Sequence, residues 1–545
     1  KFFPHLSSFY EMFPTHHIAL QAFCFLLDFV YQHSPNLVKK LSEPVFENYT
    51  DKLMLANHSL HQLNIIDDMR HTGRYRSVGS LLNNCVTTMG KRHFLYHLHY
   101  PITHEPTLQA SYDITEHLLS CGELNIRQQL ATITDLEKFS RKVVTRKITP
   151  INLVALVADL AAIQTLYTDA VLTAYLHQQN IQAKSEIQAH CAEISADITR
   201  VFCLAECQGE ITETTYIINQ GISPLIDELR STSFTGKAKL EAICNFLSGL
   251  IQRYEKTAVA KDYVKIHETA KSDALLIATT RRIGLLKEAI KAEKKSVVNL
   301  TFHADETFMF DLTSLEYDNN GGSKNDKVIT SRQIKEITRA NETAREKLVR
   351  EMQLFFQNYM GEFMKFDTPL QAIIKYTTEM DMLQCKCFIA NKYNYCKPQI
   401  QQAQAQAGQA QAHAAGQAQI ENSFLSFTDI RHPLIEYLQS NELYVTNDLS
   451  MSASGILLYG TNAVGKTSFI KSVGIAIIMA QAGLYVPCST FVYKPYRTIF
   501  TRILGNDNLF KGLSTFAVEM TELRAILMLA DAHSLVLGDE LCSGT

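Results

Sequence analysis

Leu153, Leu156, Leu160, Ile163 and Tyr167 recur at intervals of 3, 4, 3 and 4, the repeat that lines one face of a helix. Comparable stretches make residues 1 to about 225 mostly helical. Between about 226 and 330 the pattern shortens to the alternating runs "ALLIATTRRI" and "VVNLTFHADETFMFDL" around the turn cluster "DNNGGSKND", which predict a small strand-rich insertion. From Gln333 to Tyr359 neither glycine nor proline occurs, and Ile334, Ile337, Ala344, Leu348, Met352, Phe355 and Tyr359 keep a helical stripe, predicting one long helix. The run "QQAQAQAGQAQAHAAGQAQ", residues 401–419, has almost nothing to bury and reads as a disordered insert. After about Glu421 the pattern changes again. The apolar "GILLYG" predicts a strand, followed by a glycine loop and a helix with Ile470, Val473, Ile477 and Ala480 on one face; "SLVLGDE" predicts a buried strand ending in acids. Strand, loop, helix and acidic strand make an α/β nucleotide-binding domain.

A chain of 545 residues exceeds one ordinary core and predicts three or four compact units at about 150 residues each. The net charge of -3 gives no global electrostatic case for nucleic acid. Locally, Lys237 to Lys295 holds 13 Lys and Arg against 7 Asp and Glu, which fits either solvated surface or contact with phosphodiesters. The 12 cysteines include no Cys-x-x-Cys and no cysteine and histidine cluster at zinc spacing, so reduced thiols in an intracellular protein are expected. No apolar run is long enough to cross a bilayer, and the nearest, Val473 to Val486, is short; no membrane partner is expected. The chain opens on Lys1 without an initiator methionine or signal peptide, and both ends read as cut.

The chemistry concentrates in the last quarter. Gly460, Gly465, Lys466 and Thr467 in "GTNAVGKT" satisfy the G-x-x-x-x-G-K-[ST] phosphate loop, whose backbone N–H groups converge on phosphates. Thr461, Asn462, Ala463, Val464 and Ser468 complete the nucleotide-binding candidates. Lys466 is expected against the outer phosphates and the Thr467 hydroxyl on Mg²⁺, with the helix N-terminus adding to the anion site. At the other end of the domain, Asp539 is expected in the Mg²⁺ shell and Glu540 as the residue that polarises the attacking water. A surface acid pair is the bland alternative, but two unpaired carboxylates closing a buried strand would cost several kcal/mol. Between them, "GLSTFAVEMTELRAIL" reads as a capped helix with Met520, Leu523, Leu527 and Ala530 facing the core, or as a helix N-terminus aimed at a phosphate with Ser514 at its tip.

Together, "GTNAVGKTSFIKSVG", "GLYVPC", "FTRILGNDNLFKGLSTFAVEMTE" and "SLVLGDELCSGT" resemble the ATPase domain of the MutS family of DNA mismatch repair proteins. "DIRHPLIE" is similar to the family's approach to that domain, "ITSRQIKEITRANETAREKL" to the segment leaving the clamp, and "SVGSLLNNCVTTMGKRHFLYHLHYP" to the start of the lever helices. The resemblance implies a multidomain protein: the end of a connector domain at 1–48, lever helices at 49–225, a small strand-containing clamp insertion at 226–332, a returning lever helix at 333–398, and an ABC-type phosphate-loop ATPase domain at 399–545. It implies a DNA-dependent ATPase that uses ATP and Mg²⁺ and encloses double-stranded DNA as a dimer with composite ATP sites, at intracellular DNA. A downstream repair factor or a fused nuclease would be a further partner. In that picture Ser514 reaches the γ-phosphate bound by the partner subunit, with Asn462 beside it. Tyr444 in "ELYVTN" falls where the family sets an aromatic ring on adenine; by itself it is equally a core residue. The basic excess matches the clamp, with Arg281 and Arg282 as DNA-backbone candidates, of which strand alternation would send only one to a given face.

The sequence also departs from the family pattern. Phe9, Tyr10 and Glu11 invite comparison with the family's mismatch-reading Phe-x-Glu motif, but too few residues separate them from the lever-like block, and they are assigned to the end of the connector. The motifs that follow the family's carboxylates are missing, so the ATPase domain reads as truncated and the chain by itself as a poor ATPase. Leu541, Cys542 and Ser543 resemble the branch found in large DNA viruses and coral mitochondria. The alternatives are a junction-binding or non-mismatch-reading DNA clamp of the same ATPase class, and a chromosome-maintenance ABC ATPase, for which sustained heptads are lacking.

Overall fold

A computed structural model of the chain describes residues 17–33, 35–38, 41, 51–56, 58–67, 73, 75–122, 126–212, 215–254, 263–269, 272–293, 296–303, 306–319, 325–401, 422–439, 443–451, 455–461, 464–503 and 515–539. Phe9, Tyr10, Glu11, Leu541, Cys542, Ser543 and the 402–419 part of the insert lie outside the described residues. The chain divides into two compact units, where length predicts three or four. One comprises Lys1–Thr145, Ala155–Ser195 and Lys365–Thr545; the other Arg146–Val154 and Ala196–Met364. The number falls because segments far apart in sequence share one core: Leu63, Phe94, Tyr112, Cys385, Ile477 and Leu535 belong to a single buried cluster.

In the first unit the helix Asp367–Tyr393 packs on the helices Thr88–His99 and Glu105–Ser120. A fully buried carboxylate fixes that contact. Asp381 accepts from Val86 N at 3.1 Å, Thr87 N at 2.8 Å, Thr87 Oγ1 at 2.6 Å and Gln384 Nε2 at 2.7 Å. A charge with no exposure is tolerable only when satisfied in this way. The predicted stripe Leu153, Leu156, Leu160 and Ile163 is buried on the helix Pro150–Gln164. Tyr167 is not part of it: the helix stops at Gln164, and Leu166 takes the buried position instead.

Met54–Leu55, Thr498–Arg502 and Ser534–Gly538 form a three-stranded parallel sheet in that order. Asn447–Met451, Leu425–Ile430, Thr490–Tyr493 and Gln399–Ile400 form a second, four-stranded sheet. The helix Lys466–Gln481 lies against the first: a Cβ added at Gly474 would stand 2.7 Å from Leu537 Cδ1 and 2.9 Å from the Leu63 methyls. From Ser472 to Gln481 every residue of this helix is buried, more than the one-sided stripe predicted.

Three expectations need correction here. "GILLYG" has no strand partner among the described residues, and Leu457 and Tyr459 are 87% and 92% exposed. An apolar run supplies the capacity for a strand, but a strand exists only where a neighbour pairs its backbone. Ser534–Gly538 forms as predicted but buries one face only, with Leu535 and Leu537 inside and Val536 outside. On the helix Thr515–Leu529, Leu523 lines a cavity as predicted, but Leu527 is 82% exposed and Ile526 takes its place beside Leu523.

The second unit pairs two long helices, Pro224–Gln252 and Arg332–Glu362, with a small antiparallel sheet. Its strands run Lys265–Thr269, Ser272–Thr279, Asp326–Thr330 and Glu316–Asn319, beside the hairpin Val297–His303 and Glu306–Asp311. The helix Pro224–Gln252 occupies ground predicted to be strand-rich from 226. Proline in its first turn and a buried line through Ile226, Ser233, Leu240, Ile243, Leu247 and Ile251 give it helical periodicity. Small residues let the two helices close: Gly236 sits against Asn341, whose Oδ1 accepts from Ser233 Oγ at 3.1 Å. Ser331 caps Arg332–Glu362 by accepting from Ile334 N, so the helix begins one residue before the predicted Gln333. Within the predicted stripe, Phe356 is buried in place of Phe355. Among the described residues no helix is long and apolar enough to cross a membrane, and the described cysteines are free thiols.

Candidate functional site

The phosphate-loop motif becomes geometry at Gly465. Its φ of +93° is left-handed, which a side chain rarely adopts, and it ends the loop as the N-cap of Lys466–Gln481. The first N–H groups of that 16-residue helix have no intrahelical acceptor and face the loop, a ready anion site. Gly460 and Thr461 lie across from it: Lys466 Nζ donates to their carbonyl oxygens at 2.9 and 2.8 Å, curling the ammonium back over its own loop. Val464 is 59% exposed, and Ser468 is half-buried in the first turn. Asn462 and Ala463 lie outside the described residues.

The strand-end acid meets this loop. Thr467 Oγ1 donates to Asp539 Oδ2 at 2.6 Å, and the Asp539 backbone N–H donates to Arg502 O at 2.7 Å, extending the ladder in which Arg502 pairs with Gly538. Parallel pairing with Thr498–Arg502 therefore sets where the carboxylate emerges. A hydroxyl and a carboxylate at one point form a hard-oxygen donor set, which fits Mg²⁺ and not a thiophilic metal. Glu540 and Ser514 lie outside the described residues.

A cavity of about 610 Å³ adjoins these groups, with Lys466, Phe469, Arg502, Leu523, Leu537 and Asp539 on its wall. Two of the nearby cations did not figure among the sequence candidates. Arg502 is only 6% exposed and its Nε stands 3.4 Å from Glu522 Oε2. A lone arginine closing the otherwise apolar and threonine-rich strand "TIFTR" was the readable signal. Lys471, one turn beyond Thr467, donates to Asn64 Oδ1 at 2.8 Å. Burial holds its ammonium below the ordinary lysine value, with the Asp539 carboxylate pulling the other way. No sequence signal links Lys471 to Asn64, because the two meet only through the fold.

Tyr444 is half-buried in the irregular run before Asn447–Met451. Arg281 and Arg282, in the second unit, are corrected in setting: they occupy the first turn of the helix Thr280–Ala292, not a strand, so helical geometry governs their directions. Arg281 is exposed; the Arg282 guanidinium lies 4.9 Å from the Tyr263 ring centroid and donates to Tyr263 O at 3.4 Å.

Known proteins share this arrangement's sequence. Residues 456–545 match the family model of MutS domain V and residues 58–386 that of MutS domain III. A mutS homologue of Acanthamoeba polyphaga mimivirus is 26% identical over 95% of this chain and 49% of its own length. A mitochondrial DNA mismatch repair protein mutS homologue of Sarcophyton glaucum is 25% identical over 95% of this chain and 49% of its own length. The DNA mismatch repair protein MutS of Chlorobium phaeovibrioides is 26% identical over 89% and 49%, respectively. The chain thus spans about half the length of these relatives, which include a large virus and a coral mitochondrion as the terminal residues suggest. With the domain III match alone covering more than half of its residues, and a phosphate loop joined to a strand-end acid inside the domain V match, the chain belongs to the MutS family.

Proposed function

We propose that residues 460–468 bind ATP with Mg²⁺, and that the chain forms part of a DNA-dependent ATPase that binds mismatched or damaged duplex DNA as a dimeric clamp. The observation that carries this reading is the hydrogen bond of 2.6 Å between Thr467 and Asp539, which brings the two expected metal ligands to one point. When bound, Mg²⁺ supplies charge neutralisation to the phosphate oxygens. The helix N–H groups after Gly465 receive the phosphates, and the Lys466 ammonium exchanges the Gly460 and Thr461 carbonyls for phosphate oxygens. Thr467 and Asp539 hold the metal, and Glu540 takes the proton of the attacking water. Ser514 and Asn462 act at the γ-phosphate, Ser514 on the one held by the partner subunit, and Tyr444 stacks on adenine.

In the same reading the strands between 265 and 330 belong to the clamp, where Arg281 and Arg282 grip phosphates without reading sequence. Helices of 49–225 and 333–398 serve as levers between DNA and the ATPase domain from 399, and residues 1–48 end a connector. The setting is intracellular DNA. Relatives named as mismatch repair proteins support the choice of substrate. The test is a pair of titrations: a fluorescent ATP analogue with Mg²⁺, and duplexes with and without a single mismatch, each with and without ATP. Tighter binding of the mismatched duplex and an ATP-dependent change in its release are expected. Equal affinity for both duplexes, or ATP affinity unchanged in Lys466→Ala, overturns the reading.

A further inference from the structure

We propose a second cation site, for a divalent metal of the zinc class, formed by His117, Cys121 and Asp169 in the first unit; it is independent of the nucleotide reading and departs from the expectation from spacing, because its third ligand comes from a separate helix. His117 lies on the helix Glu105–Ser120 and Cys121 is that helix's C-cap, four positions on, so both side chains project from one face. Asp169 comes from elsewhere, as N-cap of the helix Ala170–Gln178. Its Oδ1 accepts from Leu172 N at 2.7 Å, which fixes the carboxylate; its Oδ2 faces His117 Nε2 at 2.8 Å and accepts from Tyr167 OH at 2.8 Å. Cys121 Sγ stands 3.6 Å from the same His117 Nε2. The three ligand atoms lie within 4.8 Å of one another, and Cys121 is exposed, so solvent and ions reach the group.

The convergence on one ring nitrogen separates this cluster from a nucleophilic triad. In a Cys–His–Asp relay the imidazole uses both nitrogens, one toward the thiol and one toward the carboxylate. Here thiol and carboxylate share Nε2, so a proton there cannot serve both. A metal ion can, because three donors directed at one point are its coordination shell. Zn–S and Zn–N bonds of about 2.3 and 2.0 Å at the tetrahedral angle separate sulfur and nitrogen by about 3.5 Å, close to the observed spacing. The nitrogen to carboxylate spacing must open by about half an ångström, within reach of side-chain rotation. Thiolate and imidazole exclude Mg²⁺ and Ca²⁺ as preferred occupants. On binding, the Cys121 S–H bond breaks, its proton goes to buffer and the S–metal bond forms; nothing is oxidised. Three protein ligands leave a fourth position for water.

Cobalt(II) is the probe, titrated into the reduced full chain, Cys121→Ser, His117→Gln and Asp169→Asn, the last retaining the helix cap. The parent is expected to take up one equivalent with a thiolate-to-cobalt charge-transfer band in the near ultraviolet and to release a proton. Cys121→Ser should lose the band, and each variant should bind that equivalent at least about tenfold more weakly, with an unchanged circular dichroism spectrum. Zinc should displace the cobalt. An oxygen-ligated ion at Thr467 and Asp539 gives no thiolate band, so the two sites are read separately. A parent without the band, or a band of equal intensity and affinity in Cys121→Ser and His117→Gln, overturns the site.

Discussion

Thr467 Oγ1 and Asp539 Oδ2, 72 positions apart, share a hydrogen bond of 2.6 Å. The contact predicts that either ligand is needed for metal-dependent nucleotide binding. Thr467→Ala and Asp539→Asn should each weaken binding of a fluorescent ATP analogue by about tenfold or more in Mg²⁺, about 1.4 kcal/mol, and much less in EDTA. Asp539→Asn with parental Mg²⁺ dependence would refute the assignment.

Among the described residues Lys466 holds the loop carbonyls of Gly460 and Thr461, both polar groups that water can satisfy. Lys466→Ala should therefore abolish nucleotide binding while changing stability by no more than about 0.5 kcal/mol, and it should leave DNA contact in place. Urea melts beside the nucleotide titration separate the two effects.

Gly90 has no room for a methyl group. A Cβ there would stand 2.1 Å from Asp381 Oδ2 and 2.7 Å from its Cγ, and that carboxylate is held by four donors. Gly90→Ala should lower stability by about 2–3 kcal/mol in urea. Gly249→Ala, with nothing near its added carbon inside the helix Pro224–Gln252, should instead be neutral or gain up to about 1 kcal/mol.

His432 should make the protein acid-labile. Burial, assisted by the charge of Lys471, pushes its imidazole down to about 4. The unfolded chain then binds the proton first, so the contribution is complete above about pH 6.5 and is lost as pH falls from there toward 4. The loss approaches about 3 kcal/mol at most. Urea midpoints at pH 7.5 and 5 should differ less in His432→Asn, which can still accept from Ile435 N at the cap.

Arg281 and Arg282 share the first turn of one helix. If they grip phosphates, Arg281→Ala should reduce the slope of log affinity against log salt by about one and affect matched and mismatched duplexes alike. Arg282→Ala should add a loss of stability, since its guanidinium covers Tyr263. An effect confined to mismatched duplex would contradict backbone contact.

Whatever rests on neighbours in the chain was settled by the sequence. The left-handed Gly465, the helix that starts at Lys466, the stripe from Leu153 to Ile163 and the long helix after Ser331 each follow from local backbone preference and a repeat of 3.6 residues. Tertiary structure alone decided which apolar runs acquire partners and which polar groups meet. It left "GILLYG" unpaired among the described residues, turned Leu527 outward, and set Arg281 and Arg282 on a helix. It also brought Asp381 to Thr87, Asp539 to Thr467 and Asp169 to His117. Periodicity records how much surface an element must bury but not against what, since that choice is made by the sum of contacts between segments distant in sequence.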